Sequence, residues 1–322
     1  MNKFKMKYLI SGSVAYDRIM DFPGKFSDHI LPHKIHQINV SFGLSTLNVN
    51  YGGTAGNIAY NLALLGEKPY IISQVGNDFK EYQTWLLKHK INLSCVRKIT
   101  GTTCPTAHII TDQSDNQITG FYFGAMQWPA TQDKQIVQKL KRVSATIGLI
   151  AAGNVDDMIY LAKIYKQQHV KYIFDPGQQT IWLTSVQLKA ILNGAHGLIV
   201  NDYELALIQK KLNVSLAKLI KQLPYLIVTL GEKGAMWYVS GKKFNLPVAK
   251  PNKVLDPTGA GDAYRAGVLL GLTRNWDIQT TGQVSALCAT YAIEHYGTQQ
   301  QAYSVNQFKK RYYQVFRKKL II

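Results

Sequence analysis

Short apolar runs rich in β-branched residues alternate with stretches of helical period between residues 8 and 229 of this chain. The runs are Tyr8–Gly12, Tyr70–Gln74, Thr146–Ala151, Tyr172–Phe174, Gly197–Val200 and Leu226–Thr229. Strands separated by helices pair in parallel, because each helical crossover returns the chain to the same edge of the sheet. The alternation therefore predicts an α/β fold with a mainly parallel central sheet and helices on both faces. Most of the runs end at Gly, Asn, Asp or Pro. Ligands of such sheets bind outside the carboxyl ends of the strands, so those bounding residues are where chemistry is expected.

Two stretches break the alternation. Residues 21–51 and 103–128 hold strand-like pieces, Gln37–Phe42, Leu47–Tyr51, Ala107–Thr111 and Gln117–Phe123, around polar turns such as Asp112–Asn116. They predict a small antiparallel lid, formed by segments inserted at about 18–51 and 103–128. No solenoid-type repeat or low-complexity linker divides the chain, so one domain over 1–322 is expected. Of its 322 residues 46% are hydrophobic and 17% charged, enough apolar material for a core. No run approaches the roughly 18 apolar residues of a membrane span. The basic start, Lys3, Lys5 and Lys7, lacks a signal-peptide core before Gly12. A cytoplasmic protein is expected. Cys95, Cys104 and Cys288 show neither a disulfide framework nor thiolate zinc spacing and are expected to be inert. The 37 Lys and Arg against 19 Asp and Glu give a formal charge of +18, which attracts nucleotides, nucleic acid and acidic membranes without choosing among them.

The chemistry-bearing pieces lie at strand ends. Residues 256–272 run from a glycine-rich turn into an apolar helix. Gly259, Ala260 and Gly261 let the main chain approach a ligand, and their N–H groups stand where a helix has unpaired donors, making an anion cradle. Asp262 beside that cradle repels anions unless it accepts a proton from an incoming hydroxyl, a combination suited to phosphoryl transfer. The plainer alternative is an acid favouring the helix dipole. Tyr264 stands where a dinucleotide fingerprint needs its third glycine, and no P-loop is present. Gly52, Gly53 and Asn57 open an amphipathic helix carrying Ile58, Leu62 and Leu65, where a polyol could meet main chain and amide, or where there is only a turn. Asp17 after the first strand can hold two vicinal hydroxyls or be a surface acid. Asn201 and Glu204 offer oxygens for a hydrated Mg²⁺ or cap a helix. Thr229 to Gly234 is a loop along a nucleotide or a hairpin turn. His29, His33 and His36 have helical metal-face spacing, but Pro32 disfavours that helix.

In this order the pieces resemble the ribokinase-like (PfkB) family of carbohydrate and nucleoside kinases, with Gly52–Gly66 and Asp256–Gly267 similar to its two signatures. Within the family the chain is most similar to bacterial adenosine kinases, through Ser11–Asp17, Asn57–Asn61, Asn116–Thr119, Gly124–Gln127, Phe174–Gln178, Asn201–Glu204 and Asp256–Gly259. The resemblance covers essentially the whole chain. It implies transfer of a phosphoryl group from MgATP to the primary 5′-hydroxyl of adenosine beneath a lid, with dependence on a monovalent cation such as K⁺ left open. It makes Asp262 the catalytic base and Gly259, Ala260 and Gly261 the anion hole. Asp17, Gly52, Gly53 and Asn57 grip the ribose, Asn201, Thr229 and Gly231 serve ATP, and Glu204 serves Mg²⁺. Phe123, with Phe42 and Met126, is the candidate wall for the base. Thr54 departs from the small or cysteine residue often found at its place, with little effect expected. A sugar kinase on the same fold is the alternative acceptor class. A non-catalytic nucleotide- or nucleic-acid-binding protein is disfavoured by the intact Gly-Ala-Gly-Asp at 259–262. The partners implied are ATP and a nucleoside, not nucleic acid or membrane, in a monomer or homodimer. The basic, aromatic tail from Ser304 is expected to be a docked helix with a Ser304–Gln307 capping box.

Overall fold

The computed structural model describes residues 4–31, 36–37, 39–114 and 116–322. Its strands are β1 (Phe4–Ser11), β2 (Ala15–Asp21), β3 (Asn48–Gly52), β4 (Tyr70–Val75), β5 (Asn92–Lys98), β6 (Thr106–Thr111), β7 (Gln117–Tyr122), β8 (Val143–Ile150), β9 (Tyr172–Phe174), β10 (Gly197–Asn201), β11 (Tyr225–Thr229), β12 (Ala235–Val239) and β13 (Lys242–Leu246). Its helices are α1 (Thr54–Leu64), α2 (Lys80–Lys88), α3 (Lys134–Lys141), α4 (Val155–Gln167), α5 (Ser185–Leu192), α6 (Asp202–Leu212), α7 (Leu216–Gln222), α8 (Ala260–Arg274), α9 (Ile278–Ile293) and α10 (Val305–Phe316). The larger sheet has the order β13-β12-β11-β10-β9-β8-β1-β4-β5. It is parallel from β11 to β5, and β12 and β13 extend it as antiparallel strands at one edge. This is the ribokinase-like α/β architecture.

Strand periodicity divides the core in two. Tyr8, Ile10, Ile71, Leu149, Ile173, Ile199 and Ile227 face one way, under α1, α8 and α9. Their neighbours Leu9, Ile72, Ile150, Phe174, Leu198 and Val228 face the other way, under α4, α5 and α6. Successive side chains of a strand point to opposite faces, which is why a sheet covered on both sides reads as a continuous apolar run. At about 25 cal/mol per Å² of apolar surface removed from water, these two layers are the main stabilising term. The chain proceeds from β1 outward to β4 and β5 on one side and to β8 through β11 on the other. The reversal at β1 opens a crevice at the carboxyl edge, and the candidate residues gather there.

The smaller sheet has the order β3-β2-β6-β7 and corrects the sequence expectation in two ways. It is mixed rather than antiparallel, because β2 pairs with β6 in parallel. The cause is topological: β2 follows β1 and β6 follows β5, and two parallel strands of the main sheet deliver their continuations from the same edge in the same direction. Secondly, the strand expected over Gln37–Phe42 does not form, since residues 39–42 belong to neither sheet. Phe42 instead packs its ring among Phe22, Phe26 and His29, with centroids 4.9, 5.1 and 5.9 Å away. Side-chain burial, not backbone pairing, places that segment. Of the three histidines, His29 lies edge-on to Phe22 and His33 falls outside the described residues.

Helix α10 carries the expected reciprocal cap between Ser304 and Gln307 and buries Phe308 and Tyr312. Arg311 grips Glu294 through two hydrogen bonds of 2.6 Å. All three cysteines are buried. Among the described residues no helix is long and apolar enough to cross a membrane.

Candidate active site

Helix α8 opens at Gly259, whose φ of +78° is the left-handed conformation that favours glycine. An added Cβ there would stand 2.9 Å from Thr298. The turn is pinned from below by Asp256, which accepts from the N–H groups of Thr258 and Gly297, each at 2.8 Å. The amides of Gly259, Gly261 and Asp262 have no hydrogen-bond partner among the described residues. They are the free donors a helix N-terminus offers to an anion. Ala260, expected to share in this cradle, instead donates to the carbonyl of Pro257 at 3.2 Å. Its place is taken by the N–H of Asp262 itself, a consequence of the tight turn that starts the helix.

Asp262 lies in the first turn of α8, partly open to the crevice. Burial pushes its proton affinity up to a pKa of about 7; Arg265 and the Asn57 N–H pull it down, while Asp175 and Asp17 push it further up. A carboxylate poised near neutrality can take a proton from an alcohol that is losing it to a developing ester. Asn57 does not present its amide to open space: Nδ2 donates to Asp262 Oδ2 at 2.8 Å and Oδ1 accepts from Gln299 at 2.9 Å. It is 5% exposed, so it holds Asp262 rather than standing free to meet a polyol.

Asp17 is on β2, across the crevice, with its carboxyl directly over Gly52, where any Cβ would collide with it. Burial raises its pKa to about 6; the Thr298 hydroxyl, at 3.4 Å, lowers it and Asp256 raises it. Most of its hydrogen-bonding capacity is unused among the described residues, as a group that grips hydroxyls requires. Gly53, at φ +86°, turns the chain from β3 into α1 so closely that a Cβ would come within 2.6 Å of Ser13 O and Ala15 N. The Thr54 hydroxyl is occupied, donating to Ala152 O at 2.9 Å.

On the other side of the cradle, Arg265 binds Asp175 through Nε and Nη2, the latter at 2.6 Å from Oδ1. Burial disfavours the guanidinium charge, and Asp175 more than restores it. Asn201 and Glu204 form a reciprocal cap on α6: the Glu204 N–H donates to Asn201 Oδ1 at 2.7 Å and the Asn201 N–H to Glu204 Oε2 at 2.9 Å. Glu204 Oε1 stays open, and burial raises the proton affinity of the group while the Asn201 N–H lowers it. Thr229 ends β11, its hydroxyl on Val200 O at 3.3 Å, and Gly231 lies in a turn closed by Leu230 N–H donating to Gly234 O. That loop is the connection of the antiparallel pair β11–β12, and Gly231 has no atom within 4 Å of its Cβ position, which leaves it open to a ligand.

The smaller sheet contributes less than expected. Phe121 and Phe123 make an edge-to-face pair at 5.3 Å and are both exposed. Met126 is 4% exposed and belongs to the core, and Phe42 spends its ring on the aromatic cluster of Phe22, Phe26 and His29. Asp175, Asp256 and Arg265 lie inside motifs quoted from the sequence but were given no role there, and Thr298 and Gln299 were missed. Arg265 left a signal, since it stands three residues after Asp262 and therefore shares its helix face.

Free amides for an anion and a carboxylate of raised proton affinity, on one helical turn, are what transfer of a phosphoryl group to a hydroxyl needs, and the protein is a phosphotransferase of that class. It belongs to the pfkB family of carbohydrate kinases, which matches residues 23–304. A nucleoside kinase of Methanocaldococcus jannaschii is 33% identical over 269 residues, 83% of this chain and 86% of that protein. The structure of Burkholderia thailandensis nucleoside kinase in complex with inosine superposes with a TM-score of 0.88 at 30% identity, over 97% of this chain and 100% of that one. The same kinase in complex with ADP-inosine gives 0.85 at 32% identity, over 97% of each chain.

Proposed function

We propose that the chain is an ATP-dependent nucleoside kinase that phosphorylates the 5′-hydroxyl of adenosine. The observation that carries this reading is the pair of half-buried acids facing the crevice, Asp262 at the anion cradle and Asp17 over Gly52. They suit the two ends of a ribose, the reacting 5′-hydroxyl at one and the vicinal 2′,3′-diol at the other. The nucleoside kinases of M. jannaschii and B. thailandensis, the latter with inosine, support the same acceptor class.

In this reading the γ-phosphoryl group of ATP rests on the N–H groups of Gly259, Gly261 and Asp262, which stabilise the charge spread over its oxygens. Asp262 accepts the 5′-hydroxyl proton on the oxygen that Asn57 leaves free. Asp17 takes the diol with both carboxyl oxygens, next to Gly52 and Gly53. Phe121 and Phe123 supply an apolar edge for the base. Asn201, Thr229 and Gly231 line the carboxyl edge where the nucleotide would lie. The open Oε1 of Glu204 fits a hydrated Mg²⁺, which keeps several waters and needs only one or two carboxylates beside the phosphates. Bound there, the ion would neutralise phosphate charge.

Incubation with ATP, Mg²⁺ and adenosine should yield ADP and adenosine 5′-monophosphate in equal amounts, identified by ³¹P NMR. Absence of any nucleoside monophosphate, with ribose or fructose converted instead, would assign the chain to the sugar kinases.

A further inference from the structure

A hydrogen-bond chain, buried at its centre, runs from α2 to Asp262, and its direction is fixed at the far end. Trp85 Nε1 donates to Gln299 Oε1 at 3.0 Å. Gln299 Nε2 donates to Tyr82 Oη at 2.5 Å and to Asn57 Oδ1 at 2.9 Å, and Asn57 Nδ2 donates to Asp262 Oδ2 at 2.8 Å. An indole N–H only donates, while a primary amide has one donating and one accepting end. Trp85 therefore decides which way Gln299 faces, and Gln299 decides which way Asn57 faces. Tyr82 reinforces the direction, because its hydroxyl proton is committed to Gly52 O at 2.8 Å and its oxygen must accept. Gln299 is 2% exposed and has φ +61°, a left-handed conformation that residues with a Cβ avoid.

We propose that Gln299 is a positioning residue for phosphoryl transfer: through this one-way relay from Trp85 it presents the N–H of Asn57, not its carbonyl, to Asp262. The inference rests on the reading of Asp262 as the base. A donor on Oδ2 stabilises the ionised carboxylate and leaves Oδ1 for the substrate hydroxyl. A reversed Asn57 would set a carbonyl oxygen against the carboxylate and keep it protonated at neutral pH. The other groups acting on Asp262 are Arg265 on α8, which favours ionisation, and Asp175 after β9 and Asp17 on β2, which oppose it. Tyr82 on α2 stays neutral and Glu204 on α6 acts on Arg265. With burial already lifting the group to about 7, the polarity of one amide decides how much of the base is ionised.

The test compares the full-length protein with Gln299→Met, which fills the same space and donates nothing, and with Trp85→Phe, which frees the Gln299 amide to rotate. Side-chain carboxyl ¹³C NMR of Asp-labelled protein follows Asp262, its signal assigned by its loss in Asp262→Asn. In Gln299→Met the Asp262 titration should move up by about 0.5 pH or more, roughly threefold in proton affinity. In parallel, kcat for adenosine at pH 7 should fall by about twofold or more, the loss of ionised Asp262 that such a shift implies, with KM for ATP within about twofold. Trp85→Phe should shift the titration the same way by less, and it decides alone if Gln299→Met does not fold. An Asp262 titration unmoved in folded variants, or a loss confined to KM, would overturn the relay. Activity retained in Asp262→Asn would instead overturn the base on which it rests.

Discussion

Replacing Arg265 by Met removes the cation that stands between Asp175 and Asp262, the residue proposed as the base. Arg265 is 8% exposed and Asp175 2%, so the pair has almost no access to water. Loss of one partner leaves the Asp175 carboxylate buried with its charge uncompensated, a cost of about 3–5 kcal/mol. At roughly 2–4 °C per kcal/mol, the slope of domains somewhat smaller than this one, the melting temperature should fall by about 6–20 °C. The double variant Arg265→Met/Asp175→Leu removes both charges and fills the space, and should recover most of that loss. It should not recover the chemistry: without the guanidinium, the proton affinity of Asp262 rises above its present pKa of about 7. Thermal and urea unfolding of the ligand-free proteins at pH 7 measure the first effect, and the acid limb of the kcat/KM profile measures the second. A single variant destabilised by less than about 1 kcal/mol, or a double variant as unstable as the single, would refute the reasoning.

Asp262→Asn should keep the fold and ATP affinity and lower kcat by about 10³ or more, because proton acceptance and hydroxyl positioning vanish together; more than about a tenth of the activity remaining would be incompatible with its role. In the parent protein kcat/KM should rise with pH and level off above about 7, since only the ionised acid accepts a proton. Stability takes the opposite sign: Asp262 and Asp17 have folded-state pKa values raised to about 7 and about 6, so the unfolded state holds fewer protons between pH 4 and 7 and their ionisation costs stability as pH rises. Asp262→Asn should therefore be more stable than the parent at pH 8 and equal to it near pH 4, as denaturant midpoints will tell. Asp17→Ala should lower kcat/KM for ribonucleosides by about 10–100-fold, from roughly 1.5–3 kcal/mol of charged hydrogen bonding, with a smaller loss for 2′-deoxyribonucleosides; equal losses would remove it from the diol.

The central sheet was legible because strands buried on both faces are written as unbroken apolar runs. All six strands inferred from such runs form, five of them one or more residues longer. The lid was harder. β2, with sequence Ala-Tyr-Asp-Arg-Ile-Met-Asp, is buried only over its first two residues and carries charge at Asp17, Arg18 and Asp21, so it lacks a clean apolar face. Its parallel pairing with β6 depends on where the main sheet releases the chain, a long-range fact with no local trace. The strand expected at Gln37–Phe42 failed because its aromatic residue serves a side-chain cluster. Around the candidate site, the acids at strand and helix ends stood out, but their supports did not. Gln299 lies 242 residues from Asn57 and Asp175 lies 90 from Arg265, and only the folded chain brings them together. The Asn201–Glu204 spacing signals a capping box and a magnesium motif equally well, and the structure shows that a single pair of side chains makes the cap while leaving one carboxyl oxygen open.

Acceptor preference tests the proposed function most directly. Initial rates with ATP and Mg²⁺ should be measured over a range of adenosine, inosine, ribose and fructose concentrations, by coupling ADP release. On the proposed reading Asp17 would hold hydroxyls of any of the four, whereas the exposed edge of Phe121 and Phe123 would add apolar contact only for a base. For a nucleoside kinase of this kind kcat/KM for adenosine should lie at least about 100-fold above ribose or fructose, the ratio that about 2.7 kcal/mol of differential transition-state binding gives. Free sugars turned over as well as adenosine would contradict the proposed function.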